Sequence, residues 1–116
     1  MPLTTNKFDI NPVESSRINS VDFDNLVFGK TFSDHMLIMD YENDEWQQGR
    51  IVPFDSITMH PATSVIHYGQ SIFEGMKANK TIDGEVNLFR PEMNAKRFAL
   101  SAKRMCMPAL PENIFV

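Results

Sequence analysis

The chain has little of what several protein classes require. It contains a single cysteine, Cys106, among 116 residues, so no disulfide can form within it. Such sparse cysteine is typical of a reducing compartment, and we expect the cytoplasm. The first residues, MPLTTNKFDINPVESS, lack the apolar core of a secretory signal and the arginines of a transit peptide, since Arg17 is the first arginine.

Basic charge and long apolar runs are also scarce. Lys and Arg number 11 against 15 Asp and Glu, which gives a formal net charge of -4. The basic surface that nucleic acid attracts is therefore not indicated. No apolar run approaches the roughly 20 residues that span a bilayer. We expect neither nucleic acid nor a membrane as a partner.

Several kinds of catalytic site are missing as well. The sequence has no G-x-S-x-G and no phosphate-binding GxxxxGK[ST]. We expect no metal, because no ligand spacing connects the histidines, which are His35, His60 and His67. Glu74 and Asp83 are too weakly placed to form a carboxylate pair. Lys77 is a Schiff-base candidate only if desolvated, and a solvent-facing strand lysine is the favoured interpretation.

The first half of the chain predicts an arm followed by strands. Residues 1–24 are polar and aperiodic, which indicates an extended arm. The apolar stretch from Phe32 to Tyr41 predicts a strand that ends at a turn over residues 42–44. The segment from Arg50 to Met59 predicts the return strand. Pro53 within it favours an edge position or a bulge.

The second half predicts a short helix, a hairpin and a long helix. Residues 60–63 form a turn into the short helix, and residues 71–80 and 85–89 form strands joined at Asp83-Gly84. The long helix runs from Pro91 to about Met107, where Pro108 stops it. Its apolar stripe comprises Ala95, Phe98, Ala102 and Met105. We expect an α+β fold, an antiparallel sheet with helices.

Arg90 stands directly before the long helix. Pro91 suits the first helical position, which makes Arg90 the N-cap. Arginine is a poor N-cap, and its charge opposes the positive end of the helix dipole. An anion bound there would remove both penalties, since arginine holds phosphate bidentately. The alternative is a solvated arginine that happens to precede a helix.

The last residues are apolar. Pro111 and Glu112 resemble a helix start, but the chain ends after Ile114, Phe115 and Val116. A single turn is too short for a stable helix, and three apolar residues would be exposed there. We therefore expect the natural chain to continue beyond Val116.

Five segments carry a family resemblance. They are FGKTFSDHM (28–36), RIVPFDSITMHPATSVIHYG (50–69), HYGQSIFEGMKA (67–78), LFRPEMNAKRF (88–98) and SAKRMCMP (101–108). In this order they strongly resemble the branched-chain amino acid aminotransferases, which are pyridoxal 5'-phosphate enzymes of fold type IV. The resemblance covers roughly residues 26–116.

The resemblance implies the architecture and the reaction. Residues 25–116 would be the small N-terminal domain, and the Schiff-base lysine would lie in a large domain beyond Val116. The whole enzyme would transfer an amino group between leucine, isoleucine or valine and 2-oxoglutarate, using branched-chain L-amino acids and 2-oxo acids as substrates. A homodimer is implied, and we expect the 116-residue chain alone to be inactive.

The resemblance also implies the site residues. Arg90 matches the arginine that holds the cofactor phosphate, which agrees with the anion site inferred from capping and dipole. Phe28, Tyr68 and Phe73 match residues that line the pocket for the aliphatic side chain of the substrate. No catalytic residue is expected within the chain itself.

Two alternatives stay open. One is another fold type IV enzyme, a D-amino acid transaminase or aminodeoxychorismate lyase, against which FGKTFSDHM and SIFEGMKA argue. The other is a non-catalytic, stand-alone module for binding or dimerisation, which requires that the gene stop at Val116.

Overall fold

The structure, a computed structural model, describes residues 8–116. The chain divides into two compact units, residues 1–58 and residues 59–116. Residues 8–24 of the predicted arm fall in the first unit, and its residues 1–7 lie outside the described part. The strands are β1 (Asp9–Ile10), β2 (His35–Ile38), β3 (Tyr41–Glu42), β4 (Glu45–Trp46), β5 (Arg50–Pro53), β6 (Ala78–Lys80) and β7 (Val86–Leu88). The helices are α1 (Ser64–Tyr68), α2 (Pro91–Arg104) and α3 (Glu112–Phe115), with a 3-10 turn at Ile18–Ser20.

The first unit is built on a three-stranded sheet of order β1-β5-β2. Strand β5 pairs antiparallel with β2, Val52 opposite Met36, and parallel with the short β1. Phe32 and Phe54 flank this pairing and stack with ring centroids 4.6 Å apart. The predicted turn at 42–44 is confirmed, because β3 and β4 form a hairpin with Asn43 and Asp44 at positive φ.

Strand β5 is central in the sheet, so the predicted edge position is wrong for the strand, but Pro53 itself lies beyond the residues that pair with β1. The backbone N–H of Phe54 donates to the Asp34 carbonyl at 2.8 Å, so the His35–Pro53 pair between β2 and β5 is not a hydrogen-bonded one. The pairing between β1 and β5 ends at Ile51 of β5. Pro53 therefore lies at a position where neither β1 nor β2 requires a backbone N–H donor, which proline lacks.

Part of the predicted arm contacts the rest of the first unit. Ser16 Oγ donates to Asp34 at 2.5 Å, and the Arg17 backbone N–H and Nε donate to the same carboxylate at 3.1 and 3.2 Å. These hydrogen bonds, that from Ser16 foremost, hold the pKa of Asp34 below its ordinary value. The Val13 backbone N–H also donates to His35 Nε2 at 3.0 Å. The predicted boundary between residues 24 and 25 stays a prediction.

The second unit is organised along α2. The predicted Asp83-Gly84 hairpin is confirmed, with β6 and β7 antiparallel and Gly84 at φ +86°. The strand predicted over residues 71–80 is wrong for residues 71–77, which form no regular structure. Within this segment, Glu74 and Gly75 instead accept hydrogen bonds from side chains of α2.

Helix α2 ends three residues before the predicted Met107. Its C-terminus is closed by backbone bonds from Met107 to the Ala102 carbonyl and from Cys106 to the Lys103 carbonyl, with Cys106 left-handed at φ +54°. This pattern is a Schellman motif. Pro108 lies beyond that turn and does not itself stop the helix.

The apolar core lies between α2 and α3. Ala95 and Ala102 of the predicted stripe are 2% and 1% exposed, and Phe98 packs on Phe115 with ring centroids 5.7 Å apart. The expectation that the last three residues are all exposed is wrong, since Ile114 is 8% exposed. A single helical turn is stable here because it packs on α2, which isolated-helix arguments omit.

Candidate cofactor and substrate site

Arg90 is the N-cap of α2 and Pro91 begins the helix, as the sequence predicts. The backbone of Arg90 is left-handed, with φ +49° and ψ +53°. This conformation is unfavourable in free energy for any residue other than glycine. Its side chain makes no capping hydrogen bond and is 60% exposed, with Nε 3.9 Å from Glu92 Oε1. A strained arginine with an accessible guanidinium therefore stands at the positive end of a 14-residue helix.

The two predicted pocket residues of the second unit are almost fully accessible. Tyr68 ends α1 and is 85% exposed, and Gly69 after it closes the helix at φ +61°. The neighbouring His67 donates from Nε2 to the Pro61 carbonyl at 2.6 Å, which ties α1 to the turn before it. Phe73 is 91% exposed. Neither aromatic ring is used in a core, so both are available to contact a ligand.

Phe73 lines a groove of about 460 Å³ beside α2. The other residues of this groove are Ser71, Ile72, Arg97, Leu100, Ser101, Arg104 and Met105. Arg90 is not among them. Phe73 therefore lies beside the C-terminal half of α2, whereas Arg90 caps the N-terminus of that helix.

Phe28 belongs to the first unit and is fully exposed. It lines an apolar groove of about 800 Å³ together with Phe23, Leu26, Val27 and Phe32. Gly29 follows at φ +75°, which turns the chain directly after this side chain.

Sequence reasoning missed a polar cluster in the second unit. The carboxylate of Glu74 accepts hydrogen bonds from Arg97 Nε at 2.7 Å, from Arg97 Nη2 and from Asn94 Nδ2 at 3.0 Å. The Arg97 hydrogen bonds above all lower the pKa of Glu74 from its ordinary 4.5 to about 2. The available signal was the spacing of Asn94 and Arg97, which puts both on one face of a helix.

Within residues 8–116, no group of three or more His, Cys, Asp or Glu side chains is arranged to hold a metal ion. In the same range, no helix is long and apolar enough to cross a bilayer.

Over most of its length the chain is similar to several curated aminotransferases. No family model matches the chain. It is 47% identical over 90 residues to the branched-chain-amino-acid aminotransferase of Mycolicibacterium smegmatis, which covers 77% of this chain and 24% of that protein. It is 51% identical over 85 residues to the mitochondrial branched-chain-amino-acid aminotransferase of Bos taurus, a match that covers 72% of this chain and 22% of that protein. It is 43% identical over 91 residues to the cytosolic branched-chain-amino-acid aminotransferase of Saccharomyces cerevisiae, a match that covers 77% of this chain and 24% of that protein.

These relatives are all aminotransferases by name. Within that class, the chain belongs to the branched-chain aminotransferase family, which confirms the resemblance noted in the sequence. It spans about a quarter of the length of the curated relatives it matches.

Proposed function

We propose that the chain is the N-terminal part of a branched-chain aminotransferase. The whole protein would transfer an amino group between leucine, isoleucine or valine and 2-oxoglutarate with pyridoxal 5'-phosphate as cofactor. The identity to branched-chain aminotransferases over about three quarters of the chain carries this proposal. The helix-terminal arginine supports it independently, because its charge and position suit a phosphate.

Arg90 would hold the cofactor phosphate. The guanidinium is accessible and lies at the positive end of the α2 dipole. An anion seated there would be stabilised by the helix dipole and by paired N–H donors from the arginine. The cofactor itself, when bound, supplies the electron sink that labilises bonds at the substrate α-carbon.

Tyr68 and Phe73, and by the family resemblance Phe28, would each contact the aliphatic side chain of the substrate. Each exposes an aromatic ring, and each buried CH2 of a branched side chain would gain about 0.8 kcal/mol on contact with such a ring. The Tyr68 hydroxyl adds a hydrogen-bonding group that could orient a carboxylate or the cofactor ring.

The fold would be that of the small N-terminal domain of fold type IV enzymes, over residues 25–116, with the Schiff-base lysine in a following domain. We also propose a homodimer. Large apolar side chains remain exposed in both units, including Phe28 at 103% in the first and Ile82 at 105% in the second. Apolar surface of this extent suits coverage by further domains or a second subunit.

A cytoplasmic location is part of the proposal. The single cysteine suits a reducing compartment, and the name of the yeast relative states that it is cytosolic. The bovine relative is mitochondrial by name. Fractionation of cells that express the natural gene, with markers for both compartments, decides between the two.

The test is a transaminase assay of the full-length gene product with 2-oxoglutarate and either L-leucine or D-alanine. We expect turnover with L-leucine and background with D-alanine, whereas the reverse result would indicate another fold type IV enzyme. Absence of both activities would reject the proposal. The 116-residue chain alone should stay at background, and turnover by it would contradict its assignment as a partial enzyme.

The cofactor part is tested separately by titration with pyridoxal 5'-phosphate, followed by absorbance. Replacing Arg90 by Gln should weaken binding about tenfold or more, because a charged hydrogen bond contributes about 1.5–3 kcal/mol. Arg104→Gln, on the last turn of the same helix, is the matched control. Equal affinity of Arg90→Gln and wild type would remove Arg90 from the phosphate site.

A further inference from the structure

Glu74 is held by an unusually complete set of donors. Its side chain is only 4% exposed, and Oε1 accepts from Asn94, from Arg97 and from the backbone N–H of Gly75, while Oε2 accepts from Arg97 Nε. Asn94 Nδ2 also donates to the Gly75 carbonyl at 3.0 Å. The side chain and the following peptide are thus both fastened to α2.

The fastened segment has no regular structure of its own. Residues 71–77 carry neither helix nor strand, so their position depends on such contacts. A second contact lies upstream, where Gln70 Nε2 donates to the Met105 carbonyl at 2.9 Å. Between these two points stands Phe73, whose ring is 91% exposed and makes no core contact that would fix it. Glu74 is the residue next to it.

We propose that Glu74 is a positioning residue that holds the segment carrying Phe73 against α2 and so sets the selectivity for long aliphatic substrates. This inference rests on the proposed function, in which Phe73 is a pocket wall. Because the same helix begins at Arg90, Glu74 also links that wall to the helix of the proposed cofactor anchor.

The geometry explains why a carboxylate is needed here. Two parallel hydrogen bonds join the planar carboxylate to the guanidinium fork, and neither an amide nor a lysine reproduces them. The carboxylate stays ionised at all pH values well above 2, so the link persists throughout the working range. Arg97 is 68% exposed and covers the nearly buried Glu74.

The experiment measures kcat/KM of the full-length protein for leucine and for the shorter 2-aminobutyrate. In Glu74→Gln and in Arg97→Lys, we expect about a tenfold loss with leucine, since small displacements of a positioning element are costly. We expect little change with 2-aminobutyrate, whose short side chain depends less on the wall. Glu85→Gln, the same replacement on the exposed hairpin, should behave as wild type with both substrates.

A readout independent of activity is amide hydrogen exchange over residues 70–77 in the cofactor-free protein. Exchange should be faster in Glu74→Gln and unchanged in Glu85→Gln. Equal losses with both amino acids, or unchanged exchange, would overturn the inference. If the wild-type protein is inactive with leucine, both the proposed function and the selectivity role of Glu74 are rejected. In that case, amide exchange over residues 70–77 still shows whether Glu74 holds this segment.

Discussion

Replacing Arg90 by glycine should stabilise the start of α2 while weakening the proposed cofactor site. The left-handed backbone of Arg90, with φ +49°, costs an L-residue about 1–2 kcal/mol and glycine nothing. Glycine loses about 0.5–1 kcal/mol more backbone entropy on folding. The exposed contact with Glu92, at 3.9 Å, contributes a few tenths of a kcal/mol at most. The balance is a gain of about 0.5 kcal/mol.

The assay is native-state amide exchange of the first turns of α2 in the cofactor-free, full-length protein. A gain of about 0.5 kcal/mol corresponds to exchange slowed about twofold. Cys106→Gly is the matched control, because Cys106 is also left-handed, at φ +54°, and lies at the opposite end of the same helix. It should stabilise the C-terminal turn without changing affinity for pyridoxal 5'-phosphate.

Faster exchange at the start of α2 in Arg90→Gly would refute this reasoning. It would mean that the arginine side chain stabilises the helix end more than its backbone conformation destabilises it. Slower exchange together with weaker cofactor binding would indicate that the strain is retained for binding rather than for folding.

Two further predictions concern other parts of the chain. Because the pKa of Glu74 is lowered to about 2, its pairing with Arg97 stabilises the fold above the ordinary value of 4.5 and is lost as pH falls toward 2. The difference in denaturation midpoint between wild type and Glu74→Gln should thus be constant at neutral pH and shrink as pH falls from 4.5 toward 2, and a difference independent of pH would contradict the pairing. Gly49→Ala would place Cβ 2.5 Å from Phe8 Cδ1 and 3.1 Å from Met39 Cγ, and this overpacking should cost about 1–3 kcal/mol. Proteolysis near β1 should accelerate in Gly49→Ala. Adding Phe8→Ala should reverse that effect, and persistence of fast proteolysis in the double variant would show that the Phe8 ring does not cause the clash.

Local features of the second unit were predictable because they depend on neighbouring residues. The Arg90-Pro91 pair defines the start of α2 through the missing N–H of proline, and Asp83-Gly84 defines the hairpin through the positive φ of glycine. The family followed from motifs in a particular order, which needs no coordinates. The roles of Arg90, Phe28, Tyr68 and Phe73 remain proposals that rest on that family.

Long-range relations were decided only by the tertiary structure. The central position of β5 depends on its pairing with β1, about 40 residues earlier in the chain, which no local pattern reports. The short α3 exists because Ile114 and Phe115 pack on α2.

The cluster of Glu74, Asn94 and Arg97 is the clearest case. The sequence alone shows a carboxylate in an irregular segment and two polar residues on a helix face. Only folding brings the carboxylate, 20 and 23 residues earlier, within hydrogen-bonding distance of them. The sequence by itself thus determined the family, the helix and its capping arginine, because those depend on local patterns. The tertiary structure decided which residues hold the Phe73 segment, because hydrogen bonds between distant residues require the folded chain.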